Sequence, residues 1–144
     1  MPYILQIYSD NYSSQINQLQ RGRKDRRYLG GEDTLYVFEA PIDLLSYISL
    51  FPEGWQEHNY VACCGTSSIP VLEMLRQLPQ LRQVYLCLDN DAAGHAASER
   101  MAKLLEERGI FVERLIPQQK DWNDDLKAEQ ENKMERSALC QTFC

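Results

Sequence analysis

Four short apolar runs, separated by segments with helical periodicity, restrict the fold of this 144-residue chain more than any other feature. The runs are rich in β-branched and aromatic residues, which predicts buried strands at residues 35–39, 60–63, 84–88 and 110–116. Parallel strands are joined by crossovers that usually contain a helix and are right-handed. The alternation therefore predicts an α/β fold, a Rossmann-like parallel sheet of about four strands with helices on both faces.

A helix is predicted after each of the first three strands. The first begins at Pro41, because proline is favoured in a first turn, and the second is capped by Ser67 or Ser68. The third covers residues 93–108 and ends before Gly109, in the position that glycine favours. The inner faces of the three helices are expected to contain Ile42, Leu45 and Ile48, then Leu72, Leu75 and Leu78, and then Ala97, Met101, Leu104 and Leu105.

The chain divides into three predicted parts. Residues 1–31 are either an N-terminal extension, with a short strand at 3–8 and a helix near 12–20, or the remnant of a preceding domain. Residues 32–127 carry the regular pattern and form the predicted catalytic-type domain. Residues 128–144 are polar and are predicted to form a C-terminal tail, as a loosely packed helix.

Several classes of protein are disfavoured by composition. No run approaches the ~20 apolar residues that span a bilayer, and the N-terminus lacks the pattern of a signal peptide, so we expect a cytoplasmic protein without membrane contact. The five cysteines include no CxxC pair, which argues against a disulfide framework or a zinc ribbon. The absence of a GxxxxGK[ST] sequence excludes a P-loop. Core positions are expected for Tyr36, Tyr47, Tyr60, Tyr85 and Trp122.

The distribution of charge bears on the partner more than the net charge of −6 does. An acidic surface repels phosphate groups unless basic groups or metal ions invert the field locally. Basic residues are concentrated in one short segment, at Arg23, Lys24, Arg26 and Arg27. This segment is either an arm that contacts phosphate groups or a solvated loop.

Acidic residues follow three of the predicted strands. Glu39 ends the first, Asp89 and Asp91 follow the third, and Asp121 comes after the fourth. Ligands of open parallel sheets bind beyond the carboxyl ends of the strands, where these side chains are expected to meet. Asp43 lies four residues after Glu39 and is expected to face the same place. Carboxylates so close together cannot all be ionised without compensation, so either their pKa values rise or a cation neutralises them. Oxygen ligands favour Mg²⁺ or Mn²⁺ over zinc.

Glycines beside these acids suggest contacts with phosphate. Gly94 leaves room for a backbone segment or a phosphate group to approach the start of the third helix. The turn at Gly65 and Thr66 either contributes amide donors to the same anion or serves only to cap the second helix. Lys120 is a further candidate for a phosphate contact.

Four strings together resemble the Toprim domain of primases, topoisomerases, OLD-family nucleases and RecR-type proteins. They are Phe38-Glu-Ala-Pro-Ile-Asp43, Ala62-Cys-Cys-Gly-Thr66, Leu88-Asp-Asn-Asp-Ala-Ala-Gly94 and Pro117-Gln-Gln-Lys-Asp-Trp-Asn-Asp124. The resemblance implies that Glu39 is the acid/base residue or a metal ligand, and that Asp89 and Asp91 bind Mg²⁺. It also implies auxiliary roles for Asp43 and Asp121, the latter as a further metal ligand.

Two positions depart from the family pattern. Asn123 stands where primases tend to carry a second acid, and His95 stands where a basic residue often follows the glycine. Within the family, the sequence looks most similar to primase- or relaxase-associated modules of bacterial mobile elements.

The resemblance implies an enzyme for Mg²⁺-dependent nucleotidyl or phosphodiester transfer on DNA, most similar to a primase. The implied partners are single-stranded DNA and other domains or subunits of a replication or mobilisation complex. Two alternatives stay open, a metal-dependent nuclease of the OLD type and a non-catalytic binding or assembly module of the RecR type.

Overall fold

A five-stranded parallel sheet forms the centre of the computed structural model, which describes residues 5–7 and 33–142. The strands are β1 (Leu5–Ile7), β2 (Thr34–Phe38), β3 (Asn59–Ala62), β4 (Gln83–Leu86) and β5 (Phe111–Arg114), in the spatial order β1-β3-β2-β4-β5. The predicted α/β fold with a parallel sheet is confirmed. The additional strand is β1, which lies within the strand predicted at residues 3–8 as one of two alternatives.

Within residues 33–142, four α-helices connect or follow the strands, and their ends have local causes. They are α1 (Pro41–Leu50), α2 (Ile69–Gln77), α3 (Ala92–Glu106) and α4 (Trp122–Thr142), with a short 3₁₀ helix at Trp55–Glu57. Proline occupies the first turn of both α1 and α2. After α3 the chain reverses at Gly109, whose φ of 74° is readily adopted only by glycine.

The face of the sheet covered by α2 and α3 is aliphatic. Its buried core contains Leu35, Val37, Val61, Val84 and Leu86 from the strands and Val71, Met74, Ala97, Met101 and Leu105 from the helices, together with Leu78 directly after α2. Most of the predicted helix positions are confirmed, but in α2 Val71 and Met74 are buried in preference to Leu72. Burial of each Val, Leu or Met side chain in this core contributes about 1.5–3 kcal/mol.

The opposite face, covered by α1 and α4, is aromatic. Tyr36 of β2 stacks against Tyr60 of β3 and Tyr85 of β4, with ring centroids 5.4 and 4.9 Å apart. The strand register places these three tyrosines side by side. Tyr47 of α1 packs edge-on against Trp122 of α4 at 4.9 Å. The expectation that these residues belong to the core is confirmed.

The inner face of α1 differs from the prediction. Ile42 and Leu45 are 53% and 49% exposed, whereas Leu44 is fully buried and Asp43 is only 4% exposed. Ile48 does pack against the core, as predicted. The helix is rotated relative to the expected stripe because it packs on the aromatic face beside α4. This rotation buries a carboxylate instead of an aliphatic side chain.

Helix α4 is continuous across the predicted boundary between residues 127 and 128. Its first residue, Trp122, is buried and donates its indole N–H to the carbonyl of Cys87 at 2.9 Å, whereas the residues from 129 to 142 are exposed. The division into three parts stays a prediction. The helix expected near residues 12–20 and the basic segment at Arg23, Lys24, Arg26 and Arg27 lie outside the described residues.

Candidate metal centre at the carboxyl ends of the strands

Glu39 and Asp89 lie next to each other because β2 and β4 are neighbours in the sheet. Glu39 directly follows β2, and its Oε1 accepts a hydrogen bond from the backbone N–H of Asp89 at 3.3 Å. Pairing continues past β4, where the N–H of Cys87 donates to the carbonyl of Val37 at 2.8 Å. The expected convergence of acids from distant parts of the sequence is therefore present for this pair.

Asp91 caps α3 through one of its two carboxylate oxygens. Its Oδ1 accepts the N–H of Gly94 at 2.8 Å. A Cβ on Gly94 would lie 2.1 Å from the carbonyl oxygen of Asp89 and 3.0 Å from Oε1 of Glu39. The structure therefore shows the close approach of a backbone segment to Gly94, which was one of the two predicted explanations for this glycine. Gly94 thus packs the start of α3 directly against the end of β4.

Asp43 and Asp121 hold the first turn of α4. The carboxylate of Asp43, on α1, accepts the N–H of Asn123 at 3.2 Å. The amide oxygen of Asn123 in turn accepts the hydroxyl of Ser46 at 3.3 Å, and Oδ1 of Asp121 accepts the N–H of Asp124 at 2.8 Å. At the position where primases tend to carry an acid, this chain therefore has an amide that ties α4 to α1.

The carboxyl groups share one electrostatic environment. Burial raises the pKa of Glu39, and the charges of Asp89, Asp91 and Asp43 raise it further. Burial and the charge of Asp121, followed by that of Asp91, raise the pKa of Asp89. Burial raises the pKa of Asp43 to about 6, although its bond from Asn123 opposes the change. These mutual effects show that the acids lie within electrostatic reach of one another.

Arg114, the last residue of β5, was missed by the sequence analysis. Its Nη2 donates to the carbonyl oxygen of Asp89 at 3.1 Å, and its Nη1 lies 2.7 Å from Nδ1 of His95. The other ring nitrogen of His95 lies 3.1 Å from the side-chain oxygen of Asn90. The available signal was a basic residue at the carboxyl end of a strand, but its use required knowing that β5 pairs with β4.

The predicted phosphate contacts occupy different settings. Lys120 is exposed, and its positive charge lowers the pKa of Asp89, opposing the neighbouring acids. The N–H of Gly65 donates to the carbonyl of Glu39 at 3.0 Å and is therefore already paired. Ser67 accepts the N–H of Ile69, the first residue of α2, at 3.3 Å, whereas Ser68 occupies the N-cap position and makes no side-chain capping bond. Contacts of Gly65, Thr66, Gly94 and Lys120 with phosphate stay predictions.

The side chains present suit a hard divalent cation. Both ring nitrogens of His95 are engaged, and burial raises the pKa of the Cys63 thiol to about 12. The remaining donors are carboxylate oxygens, which Mg²⁺ and Mn²⁺ prefer. Within residues 5–7 and 33–142, no group of three or more potential ligands is already gathered around one point. Mg²⁺ commonly retains several waters and binds through only one or two carboxylates.

Comparison with known proteins identifies the family. Residues 36–126 match the Toprim-like family, and because this match covers more than half of the chain, the chain belongs to that family. It is 31% identical over 96 residues to the "Uncharacterized protein MG010 homolog" of Mycoplasma pneumoniae. That alignment covers 65% of this chain and 43% of the relative.

Two solved structures share the fold. The primase fragment of the bacteriophage T7 primase-helicase protein has a TM-score of 0.54 and 25% identity, covering 73% of this chain and 44% of that chain. A structure of the T7 lagging-strand DNA polymerase interacting with primase domains has a TM-score of 0.52 and 22% identity, covering 79% and 55%. The second likeness shows the fold alone.

The chain spans less than half the length of the curated relative and of the primase fragment. Family and fold together support a metal-dependent function related to nucleic acids. Among the described residues, no helix combines the length and apolar character that crossing a membrane requires.

Proposed function

We propose that this chain is a Toprim module for Mg²⁺-dependent nucleotidyl or phosphodiester transfer on DNA, most similar to a primase. The observation that carries the proposal is the contact between Glu39 and Asp89 at the ends of adjacent strands. Burial and their neighbours raise the pKa of both carboxyl groups. A divalent cation would remove this repulsion.

Glu39, Asp89 and Asp91 would hold the ion, with Asp121 as a further ligand and Mn²⁺ as an alternative to Mg²⁺. When bound, the ion would polarise a phosphoryl oxygen and stabilise charge on the leaving oxygen. Glu39 is suited to moving a proton, because burial and the neighbouring acids raise its pKa in the direction of neutral pH. An acid/base group is most effective when its pKa lies near the pH at which the enzyme works. Asp43 is the auxiliary acid of the proposal.

The proposed partner is single-stranded DNA, together with other domains or subunits of a replication or mobilisation complex. Lys120 supplies an exposed positive charge beside Asp89, as a phosphate contact requires. The segment with Arg23, Lys24, Arg26 and Arg27 would add to this attraction and offset the net charge of −6. We further propose a cytoplasmic location, as the sequence pattern predicts, and an origin in a mobile element, as the sequence resemblance implies.

Calorimetric titration with Mg²⁺ tests the metal site directly. The whole chain is expected to bind Mg²⁺, and Asp89→Asn is expected to lose binding because it removes a ligand charge. Glu106→Gln, which removes one exposed negative charge at the distant end of α3, is the matched control and should bind as the wild type does. Absence of binding by the wild-type chain would overturn the proposal and favour a non-catalytic assembly module.

Incubation with labelled single-stranded DNA and Mg²⁺, with and without nucleotides, tests the reaction class. New primers that depend on nucleotides are the expected product and should fall to background in Asp89→Ala. Shortened strands without nucleotides would instead indicate a nuclease. Unchanged synthesis by Asp89→Ala would contradict the assignment of this site.

A further inference from the structure

We propose that Arg114 is a positioning residue that holds the turn of residues 89–91 in the shape that presents Asp89 and Asp91 to a divalent cation. The inference rests on the proposed metal site and adds a residue to it. Arg114 belongs to β5, so it would act on the carboxylates from a strand that supplies none of the proposed ligands.

The first contact of Arg114 fixes the backbone of the turn. Its Nη2 donates to the carbonyl oxygen of Asp89 at 3.1 Å. The same oxygen is the atom that a Cβ on Gly94 would meet at 2.1 Å. The Asp89 carbonyl is thus held between a guanidinium group and the tightly packed start of α3. A bond from a charged donor is stronger than one between neutral groups.

The second contact extends to the middle of the turn through His95. Arg114 has only donors, so Nδ1 of His95 accepts from it and Nε2 carries the proton donated to Asn90. The side-chain amide of Asn90 donates to the carbonyl of Pro117 at 3.2 Å. The backbone N–H of Asn90 donates to the carbonyl of Lys120 at 2.7 Å. Arg114 therefore orders the turn at both its first and its second residue.

The setting of Arg114 is unfavourable for a residue whose only task is packing. Its Nε is buried and has no hydrogen-bond partner within the described part of the chain. An apolar side chain would leave no such donor unpaired, but it could not bond to Asp89 or His95. Burial lowers the pKa of Arg114, whereas the charges of Glu99 and Glu39 act to raise it. These acids thus offset part of the effect that burial has on the guanidinium cation.

A positioning role and a purely electrostatic role predict opposite changes in the affinity for Mg²⁺ when Arg114 is replaced. If its positive charge only repelled a nearby cation, loss of that charge would strengthen binding of Mg²⁺. If it positions the turn, loss of both hydrogen bonds would weaken binding although a repelling charge is gone. Residues that orient metal ligands typically contribute 10–100-fold to affinity.

Calorimetric titration of Arg114→Met and Arg114→Lys with Mg²⁺ distinguishes these possibilities. Arg114→Met is expected to raise the Kd about tenfold or more. Arg114→Lys keeps the charge but lacks the planar fork that reaches two acceptors, so its Kd should also rise. Arg100→Met removes an exposed positive charge from α3 and is the matched control, expected to bind at least as tightly as the wild type. A Kd for Arg114→Met at or below the wild-type value would overturn the proposal.

The protonated nitrogen of His95 gives a measurement that needs no metal. In ¹⁵N NMR spectra the wild-type ring is expected to be protonated at Nε2, and Arg114→Met should shift the ring toward a mixture of tautomers. An unchanged ring in that variant would contradict the positioning role even where the wild-type chain binds no Mg²⁺. Absence of metal binding with an altered ring would overturn only the proposed function. Thermal unfolding shows whether each variant is folded. If Arg114→Met does not fold, the Kd for Mg²⁺ and the protonation of the His95 ring are measured in Arg114→Lys instead.

Discussion

Two groups of carboxylates, one following the strands and one around the start of α4, differ in how their oxygens are used. The strand-end acids are Glu39, Asp89 and Asp91, and the helix-cap acids are Asp43, Asp121 and Asp125. Each helix-cap acid accepts backbone N–H groups at the start of α4 or in the preceding loop; Asp125 accepts two, from Gln118 at 2.9 Å and Gln119 at 2.7 Å. The strand-end acids make fewer such bonds.

The comparison shows that proximity alone does not define a metal site. A carboxylate whose oxygens are filled by backbone donors stabilises the fold, whereas one with free oxygens remains available for an ion. Glu39 and Asp91 each accept one backbone N–H group through one oxygen. Asp43 and Asp121 do the same, whereas Asp125 uses both of its oxygens. The following experiments test this division.

The largest expected effect is the loss of the packing between the strand-end acids and α3. In Gly94→Ala the new methyl group would collide with the Asp89 carbonyl, and we expect unfolding free energy to fall by about 3 kcal/mol or more. Urea unfolding measures the change. Ala96→Gly, at an exposed position of the same helix, should lose only about 1 kcal/mol. Equal losses in the two variants would contradict the role given to Gly94.

The second effect concerns Asp43 and its dependence on pH. Its pKa is raised from 3.8 to about 6, so the folded chain binds this proton more tightly than the unfolded chain. The contribution to stability is therefore full below 3.8 and is lost as the pH rises to about 6, a change of about 2–3 kcal/mol.

Asp43→Asn should remove this part of the pH dependence, because an amide accepts the bond from Asn123 without ionising. Unfolding free energies of both proteins across that pH range are the measurement. Identical pH profiles would show that Asp43 does not titrate in this way.

A smaller effect separates Asp125 from its neighbour. Asp125→Asn weakens two bonds to backbone N–H groups, and we expect a loss of about 1–2 kcal/mol in unfolding free energy. Asp124→Asn removes only an exposed ion pair with Lys127, for which less than about 1 kcal/mol is expected. Urea titrations at neutral pH compare them. A larger loss of unfolding free energy in Asp124→Asn than in Asp125→Asn would contradict the stabilising role given to Asp125.

The smallest effect is stabilisation by Mg²⁺ itself. At a concentration ten times its Kd, the ion should stabilise the wild-type chain by about 1.4 kcal/mol. Asp125→Asn should keep this gain, since both carboxylate oxygens of Asp125 accept backbone N–H groups, whereas Asp89→Asn should lose it. Thermal unfolding with and without Mg²⁺ measures this stabilisation in each protein. Loss of the gain in Asp125→Asn alone would place the ion among the helix-cap acids.

Sequence alone predicted the strands to within about two residues, because buried parallel strands leave continuous apolar runs. It also placed Glu39 beside Asp89, since strand ends share one edge. It did not predict the rotation of α1, because the face that a helix buries is decided by its partner, here α4. The bond from Asn123 to Asp43 joins residues 80 positions apart and leaves no local pattern.

Arg114 and Gly65 show a second limit of sequence reasoning. The importance of Arg114 follows only from the pairing of β5 with β4, which places its guanidinium over the turn after β4. Gly65 was a plausible amide donor for an anion until its N–H proved to be bonded to the carbonyl of Glu39. In both cases the hydrogen-bond partner is a backbone carbonyl at the end of a neighbouring strand. Such a partner cannot be predicted from the residue type, because every residue has this carbonyl.

The central position of β2 and β4 affects how this chain can tolerate insertions. Glu39 follows β2 and Asp89 follows β4, and these two strands pair directly. The separation of the two residues is therefore set by the spacing of about 4.8 Å between neighbouring strands and not by the length of a loop. Added segments at the exposed turn around Gly54, or beyond the far end of α4, would leave that spacing intact. New modules could therefore be fused to this domain without readjusting the distance between its two central acids.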